Sequence, residues 1–189
     1  MADPYVYPGT TVLRNKLDIR DATQLAAIER AVTTAKFLTE PPPLDVSPAG
    51  YRALHRYIFE DLYDWAGDCR TVNMAKGQSL FCAPQYIAEQ LKERFAAILA
   101  DPAAMSSDAA TFANSLSLHV NELNAIHPFR EGNGRTLQIW LQQMADAAGQ
   151  PFELTHVRPK DWIDASIEGF LNGNAKPFET LILGAIGGA

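Results

Sequence analysis

Two apolar stripes at helical spacing flank a ten-residue stretch that no helix can run through, and this constrains the chain more than any other feature. Phe112, Leu116, Val120 and Leu123 lie four, four and three residues apart, on one face of a long helix starting near Ser106–Asp108. Leu137, Trp140, Leu141, Met144 and Ala148 form a second stripe, closed by Gly149. Between the stripes stands HPFREGNGRT, His127–Thr136. Its Pro128, Gly132 and Gly134 interrupt helical hydrogen bonding and loosen the backbone, so the first helix must end near Ile126 and a new one begin around Asn133–Arg135.

The rest of the chain has the same character. Leu25, Ile28, Val32 and Ala35 share a helix face after Asp21, and Pro41-Pro42-Pro43 stops that helix. Ser47-Pro48 reads as an N-cap followed by a first helical residue, with Tyr51, Leu54, Ile58 and Leu62 as the stripe and Gly67 as the end. Pro84 opens a further helix carrying Ile87, Leu91, Phe95 and Ile98, and Asp101-Pro102 breaks it. Pro159 and Pro177 mark two last helices. Residues 70–82 have the weakest helical pattern, and Lys76-Gly77 predicts the turn of a short hairpin. The expectation is one mainly helical (all-α) domain over 1–189, with an irregular arm at 1–20 and a small β-hairpin.

The formal charge of −6 argues against a direct nucleic-acid partner, because phosphate backbones are bound by clustered Lys and Arg. No apolar run approaches membrane-spanning length, so no membrane partner is expected, and the C-terminal LILGAIGGA reads as a packed helix end or frayed tail. The start, MADPYVYPGT, lacks the basic and apolar regions of a secretory signal. Cys69 and Cys82 are therefore expected to be reduced thiols in a cytoplasmic protein.

Chemistry concentrates in the interrupted stretch. Backbone N–H groups at a helix start lack intrahelical partners and sit at the positive end of the macrodipole. Gly132 and Gly134 let a ligand approach that backbone, which suits a pyrophosphate. Arg135, in the first turn, is a cation where a cation is unfavourable without an anion. Glu131 would repel a phosphate unless a cation bridges them, as Mg²⁺ does with one or two carboxylates. His127 titrates near neutrality and suits a general base. Base, metal-binding carboxylate, anion loop and arginine are the parts that phosphoryl or nucleotidyl transfer needs. Each residue alone has an ordinary structural explanation, and only their conjunction within ten residues points to a site.

The stretch resembles the signature of the Fic/Doc family, HxFx(D/E)GNGRxxR, through His127, Phe129, Glu131, Gly132, Asn133, Gly134 and Arg135. LHRYIFEDLYDWAGDCRTVN, Leu54–Asn73, resembles the family's helix leading into a hairpin flap, and Phe81-Cys82 with Pro84 the segment after it. The resemblance implies a protein adenylyltransferase that moves AMP from ATP to a Ser, Thr or Tyr hydroxyl of a protein target. It implies His127 as base, Glu131 on Mg²⁺, and Asn133 with Arg135 on phosphates. The backbones of Gly132 and Gly134 would form the anion hole, with Phe129 anchoring the loop. Residues Val72, Asn73, Met74, Ala75, Lys76 and Gly77 of the flap would align the target.

One position departs. Gln138 stands where the signature has a second arginine, which in the family meets the terminal phosphate of ATP. The expectation is a weaker grip there. Alternatives are a catalytically weak module that binds nucleotide and partner, or transfer of another phosphate-containing group. The family's internal inhibitory pattern, [ST]xxxE[GN], is absent: the nearest lookalike, Glu168-Gly169, has Asp164 where Ser or Thr belongs. This resembles toxin-antitoxin members restrained by a separate small inhibitor, or members with no such restraint.

Overall fold

The computed structural model describes residues 3–77 and 79–186. Seven α-helices are found among them: α1 (Ala22–Phe37), α2 (Pro48–Phe59), α3 (Ile87–Leu99), α4 (Ala109–Ile126), α5 (Asn133–Ala147), α6 (Pro159–Asn172) and α7 (Lys176–Ile186). A two-stranded antiparallel hairpin, β1 (Ala75–Lys76) and β2 (Ser79–Leu80), pairs Ala75 with Leu80 and Lys76 with Ser79. Among the described residues no helix is long and apolar enough to cross a membrane. Residues 187–189 of the apolar C-terminal run lie outside the described residues; its start, Leu181–Ile186, belongs to α7.

Helix α4 is the spine. It packs on α3, α5, α6 and α7 and is buried on nearly all sides. Phe112, Leu116, Val120 and Leu123 are all within 1 % of complete burial, and at roughly 1.5–3 kcal/mol for each fully buried large side chain they anchor the bundle. Their stripe is the one read in the sequence. Asp108 caps the start by accepting from the Thr111 N–H at 2.8 Å. Helix α2 packs on α1, α3 and α5, with Tyr51, Leu54, Ile58 and Phe59 buried.

Three boundaries differ from expectation. Helix α2 ends at Phe59, not at Gly67. Residues 60–68 turn back along it instead, because Arg52 and Arg56 donate to the carbonyls of Gly67 and Ala66, and the Gly67 N–H donates to His55 Nδ1 at 2.8 Å. The segment at Pro84 begins as a 3-10 turn, Pro84–Tyr86, and becomes α-helical only at Ile87. Ala83 there offers no capping side chain. The hairpin is also shorter than residues 70–82, although the Phe81 N–H extends the ladder by donating to Met74 O at 3.0 Å.

Residues 3–20 of the N-terminal arm pack against the helices. Val12, Ile19 and Leu25 form a small second core. Tyr5 sets its ring edge-on to Trp65 and accepts from the Thr71 N–H, and Asp3 forms an ion pair with Arg130 at 2.8 Å. The arm thus braces the interrupted stretch from outside.

Candidate active site

The junction between α4 and α5 is built by residues from five segments. His127 closes α4: its N–H donates to Leu123 O while its backbone takes the left-handed conformation, φ 48°. For a non-glycine residue that conformation costs about 1–2 kcal/mol, so surrounding contacts must hold it. Its Nδ1 lies 3.3 Å from Asn124 O. A carbonyl only accepts, so Nδ1 carries the hydrogen and Nε2 is left with its lone pair. Phe81 stacks on the imidazole at 3.9 Å and 14°, and Phe170 of α6 stacks on Phe81. Burial pushes the His127 pKa down to about 4, with Arg70 and Lys76 adding positive charge nearby. The imidazole is therefore neutral at physiological pH, as a base must be.

The loop is clamped from within. The Asn133 side chain accepts from the Phe129 N–H at 2.9 Å and donates to Phe129 O at 2.8 Å. Both ends of its amide are engaged in this brace, and the residue is buried at the start of α5. Phe129 is fully buried and stacks on His55 at 3.8 Å. His55 Nε2–H in turn donates to Glu131 O at 3.0 Å, and burial holds the His55 pKa down at about 3. His55 is thus structural, and its bond sets the backbone of the loop carboxylate.

Gly132 caps α5 with φ +81°. Among the described residues the N–H groups of Asn133, Gly134 and Arg135 meet no acceptor. Asn133 and Gly134 open on a cavity of about 320 Å³ that His127, Glu131, Met74 and Lys76 of the flap, and Trp162 of α6 also line. An anion-binding helix terminus, a neutral imidazole and a carboxylate therefore share one space.

Arg135 is engaged rather than free. Its Nη2 contacts Glu29 of α1 at 2.6 Å and Glu131 at 3.2 Å, and its guanidinium lies over the Phe59 ring. Tyr63 donates to the other oxygen of Glu29. Gln138 faces a second cavity, about 670 Å³, between α1 and α5, alongside Arg30, Thr33 and Arg135. His119 bonds Asp101 at 3.1 Å beside Ser115 and Arg94, which makes it a structural residue on another face of α4.

The arrangement agrees with what the chain is similar to. The Fic/DOC family profile matches residues 45–145. A probable protein adenylyltransferase, y4lH of Sinorhizobium fredii, is 40 % identical over 93 % of this chain and 91 % of its own length. This chain belongs to the Fic/DOC family. The probable protein adenylyltransferase Fic of Escherichia coli is 30 % identical over 88 % of this chain and 84 % of its own. The Fic/DOC fold is matched by the crystal structure of BepC, a translocated effector of Bartonella tribocorum with bound AMPPNP. That likeness has a TM-score of 0.85 at 24 % identity, covering 96 % of this chain and 95 % of the other.

The sequence reading gave no role to four contributors: Arg70, Phe81, Glu29 and Asp3. Arg70 and Phe81 stand in segments that resemble the family's flap region, but nothing in those segments marks either side chain as turned toward the site, and Glu29 and Asp3 lie outside every segment that carried the resemblance.

Proposed function

We propose that this protein is an adenylyltransferase that moves AMP from ATP to a Ser, Thr or Tyr hydroxyl of a protein target. The observation that carries the reading is the shared cavity, where the His127 lone pair and the unpaired N–H groups of α5 meet. In the reaction the target hydroxyl oxygen bonds to the α-phosphorus and His127 Nε2 takes its proton. The bond to the β-phosphate oxygen breaks, and pyrophosphate leaves with the electron pair. The N–H groups of Asn133, Gly134 and Arg135 stabilise charge on the phosphoryl oxygens, an effect worth about 2.7–4 kcal/mol per well-placed donor in comparable anion holes. The target lies along the free edge of the flap, where residues 72–77 supply main-chain partners.

Glu131 fits a magnesium ion. Its carboxylate is a hard donor, 43 % exposed toward the cavity, and no group of three metal-ligating side chains occurs among the described residues. One protein carboxylate completed by phosphate oxygens and water is the habit of Mg²⁺. When bound, the ion would neutralise phosphate charge.

ATP must compete with Glu29 for Arg135. Glu29→Gln removes the competing charge and keeps a hydrogen-bonding partner, and it should tighten ATP binding about tenfold, or about 1.4 kcal/mol, by calorimetric titration. An unchanged or weaker Kd would show that the pair positions Arg135 for phosphate instead. Gln138 brings no charge to the donor's terminal phosphate, so grip there is weaker than an arginine would give. Glu168 accepts from Asn172 at the end of α6 and from Asn174 in the connection to α7, and is not among the partners of Arg135. In this reading the site is either restrained by a separate antitoxin-like partner that supplies an inhibitory helix, or unrestrained. We place the reaction in the cytoplasm, where Cys69 and Cys82 persist as the free thiols found here.

Incubating the protein and a lysate with ATP labelled at either the α- or the γ-phosphate tests the reading. Label on a protein band from the α-phosphate alone is the expected result. Transfer of only the γ-label would replace adenylylation with a kinase-like reaction.

A further inference from the structure

The most heavily committed side chain near the site is one the chemistry does not use. Arg70, just before the flap, is 2 % exposed and has no carboxylate partner among the described residues. Its charge is met by carbonyls alone. Nε donates to His127 O at 2.8 Å, Nη1 to Val72 O at 2.7 Å, and Nη2 to Cys82 O at 2.6 Å and Ile126 O at 3.3 Å. Its own backbone N–H donates to Pro128 O at 2.8 Å.

The four carbonyls fall into two pairs. Ile126 and His127 end α4, where the helix dipole is negative and the last carbonyls lack intrahelical donors. Val72 and Cys82 flank the hairpin, one on each stem. The fork thus ties the main chain of the base to both stems of the flap. Cys82 also follows Phe81, whose ring covers the His127 imidazole, so the same guanidinium fixes the backbone and the covered face of the base. His127 holds a conformation that L-residues rarely adopt, and Arg70 Nε is the donor on its carbonyl.

We propose that Arg70 is the positioning residue of this site, holding His127 and the two flap stems in one register so that base and flap are set together. Its planar fork matters more than its charge. A lysine ammonium is a point charge on a flexible stem and cannot span carbonyls on three segments. The catalytic part of this proposal rests on the transferase reading above, whereas the structural part does not.

Arg70→Lys and Arg70→Gln, assayed with enough trimethylamine N-oxide to keep both fully folded by circular dichroism, test it. In each variant kcat should fall at least about tenfold, because small misplacements of a catalytic group are costly, while KM for ATP stays within about twofold. In ¹⁵N NMR of the ligand-free protein, His127 should show one Nδ1-protonated tautomer in the wild type and a mixture in both variants. A folded Arg70→Lys protein with near-wild-type kcat, or with the single tautomer retained, would overturn the proposal. Should the wild type transfer no AMP, the transferase reading fails and the tautomer comparison still decides the positioning role.

Discussion

Replacing His127 with alanine should slow AMP transfer by on the order of 10²–10⁴-fold while leaving the Kd for ATP nearly unchanged. The imidazole faces the cavity through Nε2, and phosphate contacts come from the α5 backbone, so removing the ring deletes the base without touching the anion site. The same geometry sets a pH dependence. Burial lowers the His127 pKa to about 4, so the neutral, proton-accepting form persists well below pH 6. Activity should stay level as pH falls from neutrality and drop only as pH approaches about 4, when Nε2 becomes protonated. An acid limb near 6.5 would show that the buried pose seen here is not the one that reacts. Full activity of His127→Ala would remove the base from the mechanism.

Much of this fold was legible because its information is local. The stripes of α4 and α5 need only a 3.6-residue period, and Asp21, Ser47 and Asp108 each cap the helix that follows. The signature was legible for the same reason: loop, glycines, carboxylate and arginine sit within ten residues. What could not be read is how the site is held. Arg70 and His127 are 57 positions apart, and Arg135 and Glu29 are 106. Arg70 lies in a stretch with no period to show whether it points inward, and a buried arginine neutralised by carbonyls alone has no sequence signature. Asn133 shows the converse. Its place in the signature was clear, yet its side chain turns back four residues to brace Phe129, a choice fixed by the tight loop rather than by the helix start where it stands.

The glycines of the loop should respond to alanine in opposite ways. At Gly132 the backbone is left-handed, and an added Cβ would lie 2.2 Å from two carbons of the fully buried Phe59 ring. The conformation costs about 1–2 kcal/mol and the overpacking about 1–3 kcal/mol more. Phe59 cannot yield quietly, because it packs beside His55 and beneath the Arg135 guanidinium. Gly132→Ala should therefore lower Tm by on the order of 10 °C and abolish transfer together. At Gly134 the backbone is an ordinary helical turn, and a Cβ would meet only Trp162 Nε1, at 3.5 Å. Gly134→Ala should keep Tm, or raise it slightly as alanine favours helix over glycine by about 1 kcal/mol. It should still lose activity, because the new methyl stands beside the N–H groups that receive the phosphate. Differential scanning calorimetry with the α-label assay separates the two. If Gly134→Ala transferred AMP at the wild-type rate, the start of α5 would not be the anion hole. If Gly132→Ala melted normally, the contact with Phe59 would not be what shapes the loop.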